Sequence, residues 1–169
     1  MELKKTKIQD SYEIITSKFS DKRGFFSRLY CKKILNKIKL KSIAQINTSF
    51  SKEIGTLRGM HYQKSPSQED KIVFCTSGEI YDVVLDIRKN SKTYGKWYAR
   101  KLNPKKGNAL LVPRGCAHGF LTLKKNTQIV YFVTNFYNPK KEGIIKYNDK
   151  KYNIRWPVPI KVISKKDNL

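Results

Sequence analysis

Strand signals dominate the pattern of apolar and polar positions. Lys41–Phe50 reads as one strand rich in β-formers, and Lys71–Cys75 and Glu79–Arg88 as two more. Thr76-Ser77-Gly78 between the latter two reads as a hairpin turn. In Glu79–Arg88, Tyr81, Val83, Leu85 and Ile87 alternate with Asp82, Val84 and Asp86, the period of a pleated strand. Trp97–Leu102 and Ala109–Val112 bracket a loop at Asn103-Pro104-Lys105-Lys106-Gly107. His118–Leu123 and Gln128–Asn135 bracket Lys124-Lys125-Asn126, which reads as another hairpin. One helix is expected around Cys31–Ile38, with a weaker helical turn near the C-terminus. Short strands at this spacing indicate an all-β sandwich or barrel. No βαβ pattern and no GxGxxG occurs, which argues against a Rossmann or P-loop nucleotide site. Without a repeat, linker or low-complexity segment, residues 1–169 are expected to form one domain.

Composition supports a packed core: 39% of the 169 residues are hydrophobic and 12% aromatic. No apolar run approaches the ~18 residues of a membrane span. MELKKTKIQD at the start has no apolar stretch of a secretory signal, so a cytoplasmic protein without membrane contact is expected. Thirty-six Lys+Arg against 13 Asp+Glu give +23, a balance that raises nucleic acid as a partner. The basic residues, however, are scattered from Lys4 to Lys166 as singles and pairs, with no stripe, tail, zinc-finger or RNP-like motif. Lysine, isoleucine and asparagine are abundant together, as AT-rich coding also produces. An anionic small molecule is therefore the expected partner, and nucleic acid is not. Cys31, Cys75 and Cys116 are far apart and form no CxxC, so neither a disulfide framework nor zinc is expected.

The two histidines keep unusual company. His61 lies in Leu57-Arg58-Gly59-Met60-His61-Tyr62-Gln63, and His118 in Val112-Pro113-Arg114-Gly115-Cys116-Ala117-His118-Gly119-Phe120. A lone histidine is more often structural than catalytic, but each of these has a glycine, an arginine and strand sequence beside it. The HxH pair, glutamate and third histidine of a metal-binding jelly roll are absent, so no metal is expected. A GxSxG elbow is absent too, which argues against a serine hydrolase.

These motifs, with others in order along nearly the whole chain, resemble the dTDP-4-dehydrorhamnose 3,5-epimerase family. The matching runs are Asp21-Lys22-Arg23-Gly24-Phe25-Phe26, Gln45-Ile46-Asn47-Thr48-Ser49, Leu57 through Gln63 and Tyr81 through Arg88. Pro113 through Phe120, Tyr131, Tyr137-Asn138-Pro139, Asn148-Asp149, Trp156-Pro157 and Ser164-Lys165-Lys166-Asp167 complete them. Each run alone is weak; their shared order and spacing are specific. The resemblance implies a cupin-type jelly-roll β-barrel with short peripheral helices. It also implies no cofactor or metal, a nucleotide-sugar substrate, and a homodimer with strand exchange at the N-terminal side.

A 4-keto sugar has acidic C–H bonds at C3 and C5. Epimerisation removes a proton from one face and returns one on the other, so a base and an acid must oppose each other. Imidazole, with an ordinary pKa near 6.5, is a reasonable base, yet the carbon acid is weaker by on the order of 10 pK units, or roughly 14 kcal/mol. Preorganised donors must therefore stabilise the enolate oxygen. By resemblance His61 is the base, Asp167 the carboxylate that orients it and Tyr131 the opposing acid. Lys71 and His118 are the polar groups near the ketone, with Asp82 behind His118. Arg23 and Arg58 match substrate contacts suited to phosphate oxygens. Gln45, Asn47, Glu142 and Lys166 match further substrate contacts, and Tyr137 an aromatic that stacks on the base.

One position departs from the pattern. The family continues Arg-Gly-Phe-Phe-x-Glu, whereas here Arg28 stands where the carboxylate would be. A carboxylate accepts, as thymine N3–H requires; arginine donates, and guanine O6 and N7 accept. A GDP-linked substrate, as in relatives acting on GDP-4-keto-heptoses, is therefore weighed against dTDP, and an Arg28 that points away against both. Cys116 stands where the family often has an apolar residue, and packing alone accounts for it. The expected activity is 3- and/or 5-epimerisation of a nucleotide-linked 4-keto hexose or heptose, serving a cell-surface sugar such as lipopolysaccharide or capsule. The alternatives are a ketoisomerase, which would not need Tyr131, and a non-catalytic jelly roll that binds sugar nucleotides or polyanions.

Overall fold

The protein is described by a computed structural model covering residues 1–168. In chain order its strands are β1 (Glu2–Lys5), β2 (Tyr12–Ile15), β3 (Lys18–Asp21), β4 (Gly24–Ser27), β5 (Gln45–Ser51), β6 (Thr56–Gln63) and β7 (Lys71–Ser77). There follow β8 (Ile80–Asp86), β9 (Trp97–Leu102), β10 (Asn108–Val112), β11 (Cys116–Thr122), β12 (Thr127–Val133), β13 (Glu142–Ile144) and β14 (Val162–Ile163). A short helix α1 (Lys32–Leu35) runs into a 3-10 turn at Asn36–Ile38, within the expected helical segment. The expected C-terminal helical turn is a set of turns over residues 165–168.

The all-β expectation holds, but the closed jelly-roll barrel does not. The strands form two open six-stranded sheets and a separate ribbon. The first sheet runs β1-β2-β10-β7-β12-β5, the second β13-β6-β11-β8-β9 with β14 alongside β6, and β3 pairs with β4 alone. No ladder of backbone hydrogen bonds joins one sheet to the other among the described residues, so both keep free edges. Side chains occupy the space between them instead. Val73, Cys75, Leu110, Val112 and Ile129 from the first sheet meet Ile80, Val84, Leu102, Cys116 and Phe120 from the second. Burying each large aliphatic side chain there contributes roughly 1.5–3 kcal/mol.

The two expected hairpins are also corrected. Thr76-Ser77-Gly78 leads from β7 in the first sheet to β8 in the second, and Lys124-Lys125-Asn126 leads from β11 in the second to β12 in the first. The turns are local and tight, as their residues require, but each hands the chain across the core. Both sheets also have covered outer faces. Leu35 of α1 packs with Ile14, Ile72, Phe74, Leu111 and Phe132 behind the first sheet. Tyr152, Ile154 and Trp156 pack on Met60, Val83, Leu85 and Ala117 behind the second.

Covered on two faces, β8 is apolar except at Asp82 and Asp86, both fully buried. Asp82 belongs to the candidate site. Asp86 holds the loop that follows it: Arg88 donates to both carboxylate oxygens at 2.9 and 2.8 Å, Ser91 at 2.5 Å and Thr93 at 2.6 Å. Burial alone would raise the Asp86 pKa, but these donors outweigh it and hold it below the ordinary carboxylate value. The stabilisation is thus present above pH ~4 and is lost as pH falls below that value. Asp86→Ala is expected to cost about 3–5 kcal/mol by leaving Arg88 without its main partner. A thermal melt at pH 7 should show a drop on the order of 10 °C.

All three cysteines are free thiols; Cys75 and Cys116 are buried, and burial pushes each thiol up to about 12. Among the described residues, no helix is long and apolar enough to cross a membrane.

Candidate active site

The inward faces of the two sheets part at one end to form a cleft. On the first sheet the register places Gln45 opposite Val133 and Val133 opposite Lys71, with Asn47, Tyr131 and Val73 forming the next inward row. Side chains two residues apart share a face, so Gln45 and Asn47, Val133 and Tyr131, and Lys71 and Val73 all point the same way. On the second sheet His61 lies directly opposite His118.

Strict alternation would send Arg58 and His61 to opposite faces of β6. A bulge prevents this: Arg58 pairs with Phe120 and His61 with His118, so three steps along β6 match two along β11. The extra residue is accommodated at Gly59, whose φ is +122°, where a Cβ would sit 2.5 Å from the Gly119 Cα. The glycine in the Arg58-Gly59-Met60-His61 run is thus what turns both side chains into one cleft.

The cleft has two lobes. One, of about 460 Å³, takes in Arg58, His61, Lys71, His118, Phe120 and Tyr131, with Lys166 and Asp167 from the chain after β14. The other, of about 390 Å³, takes in Gln45, Asn47, Glu69, Tyr137 and Glu142. His61, Lys71 and Tyr131 line both lobes and form the waist between them. His61 comes from the second sheet, and Lys71 and Tyr131 from the first, so the waist is walled from both sides.

Each histidine is held by a buried carboxylate. His61 Nε2 donates to Asp167 Oδ1 at 2.7 Å, while Asp167 Oδ2 accepts from the Gly59 backbone N–H at 3.2 Å. A carboxylate only accepts, so the proton is fixed on Nε2 and the Nδ1 lone pair is left to act as a base. His118 Nε2 donates to Asp82 Oδ1 at 2.7 Å. Among the described residues, Asp82 Oδ2 is buried without a hydrogen-bond partner, and the hold on His118 is the one polar contact of that carboxylate. Lys71 Nζ is 3.4 Å from Glu69 Oε1 and 5.4 Å from the centre of the Tyr131 ring. Burial raises the Tyr131 pKa, Glu69 adds to the rise, and Arg58 opposes it. Tyr131 therefore keeps its proton at neutral pH.

Arg58 donates to the Phe50 carbonyl at 3.1 Å and forms no ion pair among the described residues, leaving its charge open to an anion. At the other lobe, Glu142 Oε2 accepts from Tyr137 Oη at 2.9 Å and from Lys166 Nζ at 2.5 Å. Burial would raise the Glu142 pKa, but the Lys166 and Tyr137 hydrogen bonds lower it overall. Arg23 and Arg28 are not brought to this cleft. Arg23 is in the β3–β4 turn, exposed and paired with Asp21 at 2.6 Å, and Arg28 follows β4. Neither lines a lobe.

The sequence reading missed Glu69, which holds Lys71. A carboxylate two residues before a lysine entering a strand shares its face, and that was the available signal. Phe120, at the end of the Val112–Phe120 run, lines the first lobe as well. Among the described residues, no three His, Cys, Asp or Glu side chains gather as a metal site.

Comparison with known proteins agrees with this geometry. A family model described as dTDP-4-dehydrorhamnose 3,5-epimerase matches residues 5–169. The chain is 38% identical to the dTDP-4-dehydrorhamnose 3,5-epimerase of Shigella flexneri over 168 residues, covering 99% of this chain and 93% of that one. A crystal structure of the Bacillus anthracis dTDP-4-dehydrorhamnose 3,5-epimerase with TDP and pyrophosphate bound superposes with a TM-score of 0.95. It is 38% identical, and the match covers 99% of this chain and 97% of that one. The dTDP-6-deoxy-D-glucose-3,5-epimerase of Legionella pneumophila, in complex with dTDP-4-keto-L-rhamnose, gives 0.93 at 34% identity, covering 98% and 89%. This chain belongs to the dTDP-4-dehydrorhamnose 3,5-epimerase family.

Proposed function

We propose that the protein epimerises a nucleotide-linked 4-keto-6-deoxy sugar at the carbons next to the ketone, using His61 as base and Tyr131 as acid. The observation that carries this reading is the waist of the cleft. His61, oriented by Asp167, faces it from one sheet, and a protonated Tyr131 faces it from the other. In the forward step, His61 Nδ1 removes the C–H proton and the electron pair moves onto the C4 oxygen. Lys71 donates to the resulting enolate oxygen, and His118 lines the same lobe beside it. Tyr131 then delivers its proton to the opposite face of the carbon, the carbonyl re-forms, and solvent restores both groups. The positive charge beside the oxygen supplies what the roughly 10-unit pK mismatch demands.

Arg58 is assigned to the diphosphate, and Gln45, Asn47, Tyr137, Glu142 and Lys166 to the nucleotide side of the cleft. Tyr137 is 53% exposed, so its ring is free to stack on a base. The relatives described above are dTDP-sugar epimerases by name, which favours dTDP. The argument for GDP rests on Arg28, which is outside the cleft of its own protomer. Arg23 and Arg28 reach a cleft only if the β3–β4 ribbon crosses to a second copy. Phe19 on that ribbon is 66% exposed and Phe25 and Phe26 are each 59% exposed, and Ile46 and Phe50 on edge strand β5 are exposed as well. A homodimer with exchanged ribbons would bury such a patch, and sedimentation equilibrium checks it.

The function is tested by proton NMR of dTDP- and GDP-linked 4-keto-6-deoxyhexoses incubated with the protein. Inverted product from the dTDP sugar is expected; binding without conversion of either sugar would favour the non-catalytic alternative. A further expectation follows from the raised Tyr131 pKa. Because the acid must hold its proton, any alkaline loss of kcat due to Tyr131 should come only above pH ~10, the ordinary tyrosine value. A limb below pH 9 that disappears in Tyr131→Phe would contradict the assignment.

A further inference from the structure

The carboxylate that orients His61 sits on a stretch that is thinly held once the chain has passed Trp156. β14, two residues long, is the only strand between the end of β13 and Asp167. It lies parallel to the start of β6, with Val162 opposite Thr56 and Ile163 opposite Leu57. Where the stretch after Trp156 reaches β6, it is tied to one residue: the Gly55 carbonyl accepts from the Lys161 N–H at 2.9 Å and the Val162 N–H at 3.1 Å. After it, Asp167 N donates to Ser164 Oγ at 3.1 Å, and the Asp167 carboxylate meets His61.

Gly55 has no room to adjust. Its φ is +78°, and a Cβ placed there would come within 2.6 Å of the Pro159 carbonyl oxygen and 3.2 Å of Lys161 Cγ. On its other side it is pinned to the core. Gly55 N–H donates to the Thr122 carbonyl at 2.9 Å, Thr56 N–H donates to Thr122 Oγ1 at 2.9 Å, and Thr122 Oγ1 donates to the Glu53 carbonyl at 2.7 Å. Thr122 is fully buried. A side chain at position 55 therefore displaces the C-terminal segment rather than the β5–β6 turn.

We propose that Gly55 is a positioning residue for catalysis: it seats the C-terminal segment on β6 and so sets Asp167 against His61, far along the chain. This rests on the reading of His61 and Asp167 given above. The inference makes the β5–β6 turn, which touches no reacting atom, a determinant of how well the base is oriented.

The test is a double-mutant cycle read by kcat. Gly55→Ala is expected to lower kcat by about 10- to 100-fold through displacement of the base's partner. In an Asp167→Asn background the same change should cost less than about twofold, because the interaction it serves is already gone. Gly95 supplies the control: its φ is +76° and nothing lies within 4 Å of a Cβ there, so Gly95→Ala carries the backbone strain without the collision. It should leave kcat near the parent value. If Gly55→Ala fails to fold, Val162→Pro replaces it. That change removes one N–H bond to Gly55 from an exposed position on the segment, and the same loss and the same non-additivity are expected. Equal losses in the two backgrounds, or no loss from either variant, would overturn the role of Gly55. An Asp167→Asn enzyme as active as the parent would instead overturn the dyad reading itself, and the inference with it.

Discussion

His61→Asn should lower both solvent exchange and inversion, at each carbon the enzyme works on, by about a thousandfold or more; that is about 4 kcal/mol of barrier. The amide approximates the ring's near end only, so it does not reach Asp167 as Nε2 does, and it has no lone pair of useful basicity. The carbon acid is already some 10 pK units weaker than imidazole, so no ordinary group in the cleft is placed to substitute. His118 is next to it across the β6–β11 pair, but it is buried and lines one lobe only, away from the waist where His61 faces Tyr131. The His61 side chain is about one-third exposed, but the buried Asp167 carboxylate behind it is left with the Gly59 N–H alone, so a fall of a few degrees in the unfolding midpoint is expected beside the loss of activity. Deuterium wash-in and product formation, followed in the same tube, check the claim. Retention of either at more than a tenth of the parent rate would refute His61 as the base.

Tyr131→Phe should separate the two observables. Removal of the proton by His61 and its return to the same face from solvent-exchanged imidazolium need no acid on the far side. Wash-in of solvent deuterium without inversion should therefore persist, while inversion falls by about 10²–10⁴-fold. The ring keeps its packing, since Phe is Tyr without the hydroxyl and Lys71 still rests 5.4 Å from the ring centre. Equal loss of exchange and inversion would mean that Tyr131 supports binding or enolate formation rather than reprotonation.

Much of the fold was legible strand by strand, because β5 and β7 through β12 carry enough β-branched and aromatic residues to mark themselves. Their assembly was not. A turn signal such as Thr76-Ser77-Gly78 reports that the chain reverses, but not whether the next strand joins the same sheet. That is decided by which apolar faces meet in the core, as Val73 of one sheet and Val84 of the other share a single cluster. The short β1–β4 escaped notice because a four-residue strand such as Glu2–Lys5, mostly charged, has no periodicity to read. At the site, the motif around His61 named the residues but not the geometry. The β6 bulge that puts Arg58 and His61 on one face breaks the period of two on which such reading depends. Asp167 entered through resemblance; nothing local in Ser164-Lys165-Lys166-Asp167 says that the segment folds back to a strand a hundred residues earlier. Arg23 and Arg28, also assigned by resemblance, lie outside the cleft because their ribbon stands apart from both sheets.

The central claim is proton exchange with inversion next to a ketone, and counting solvent deuterons tests it most directly. The parent enzyme is run in D₂O with a dTDP-linked 4-keto-6-deoxyhexose, and mass spectrometry and NMR count deuterium in the inverted product. One deuteron at every inverted carbon is expected. Inverted product without solvent deuterium, or a product whose carbonyl has moved to a neighbouring carbon, would contradict the account.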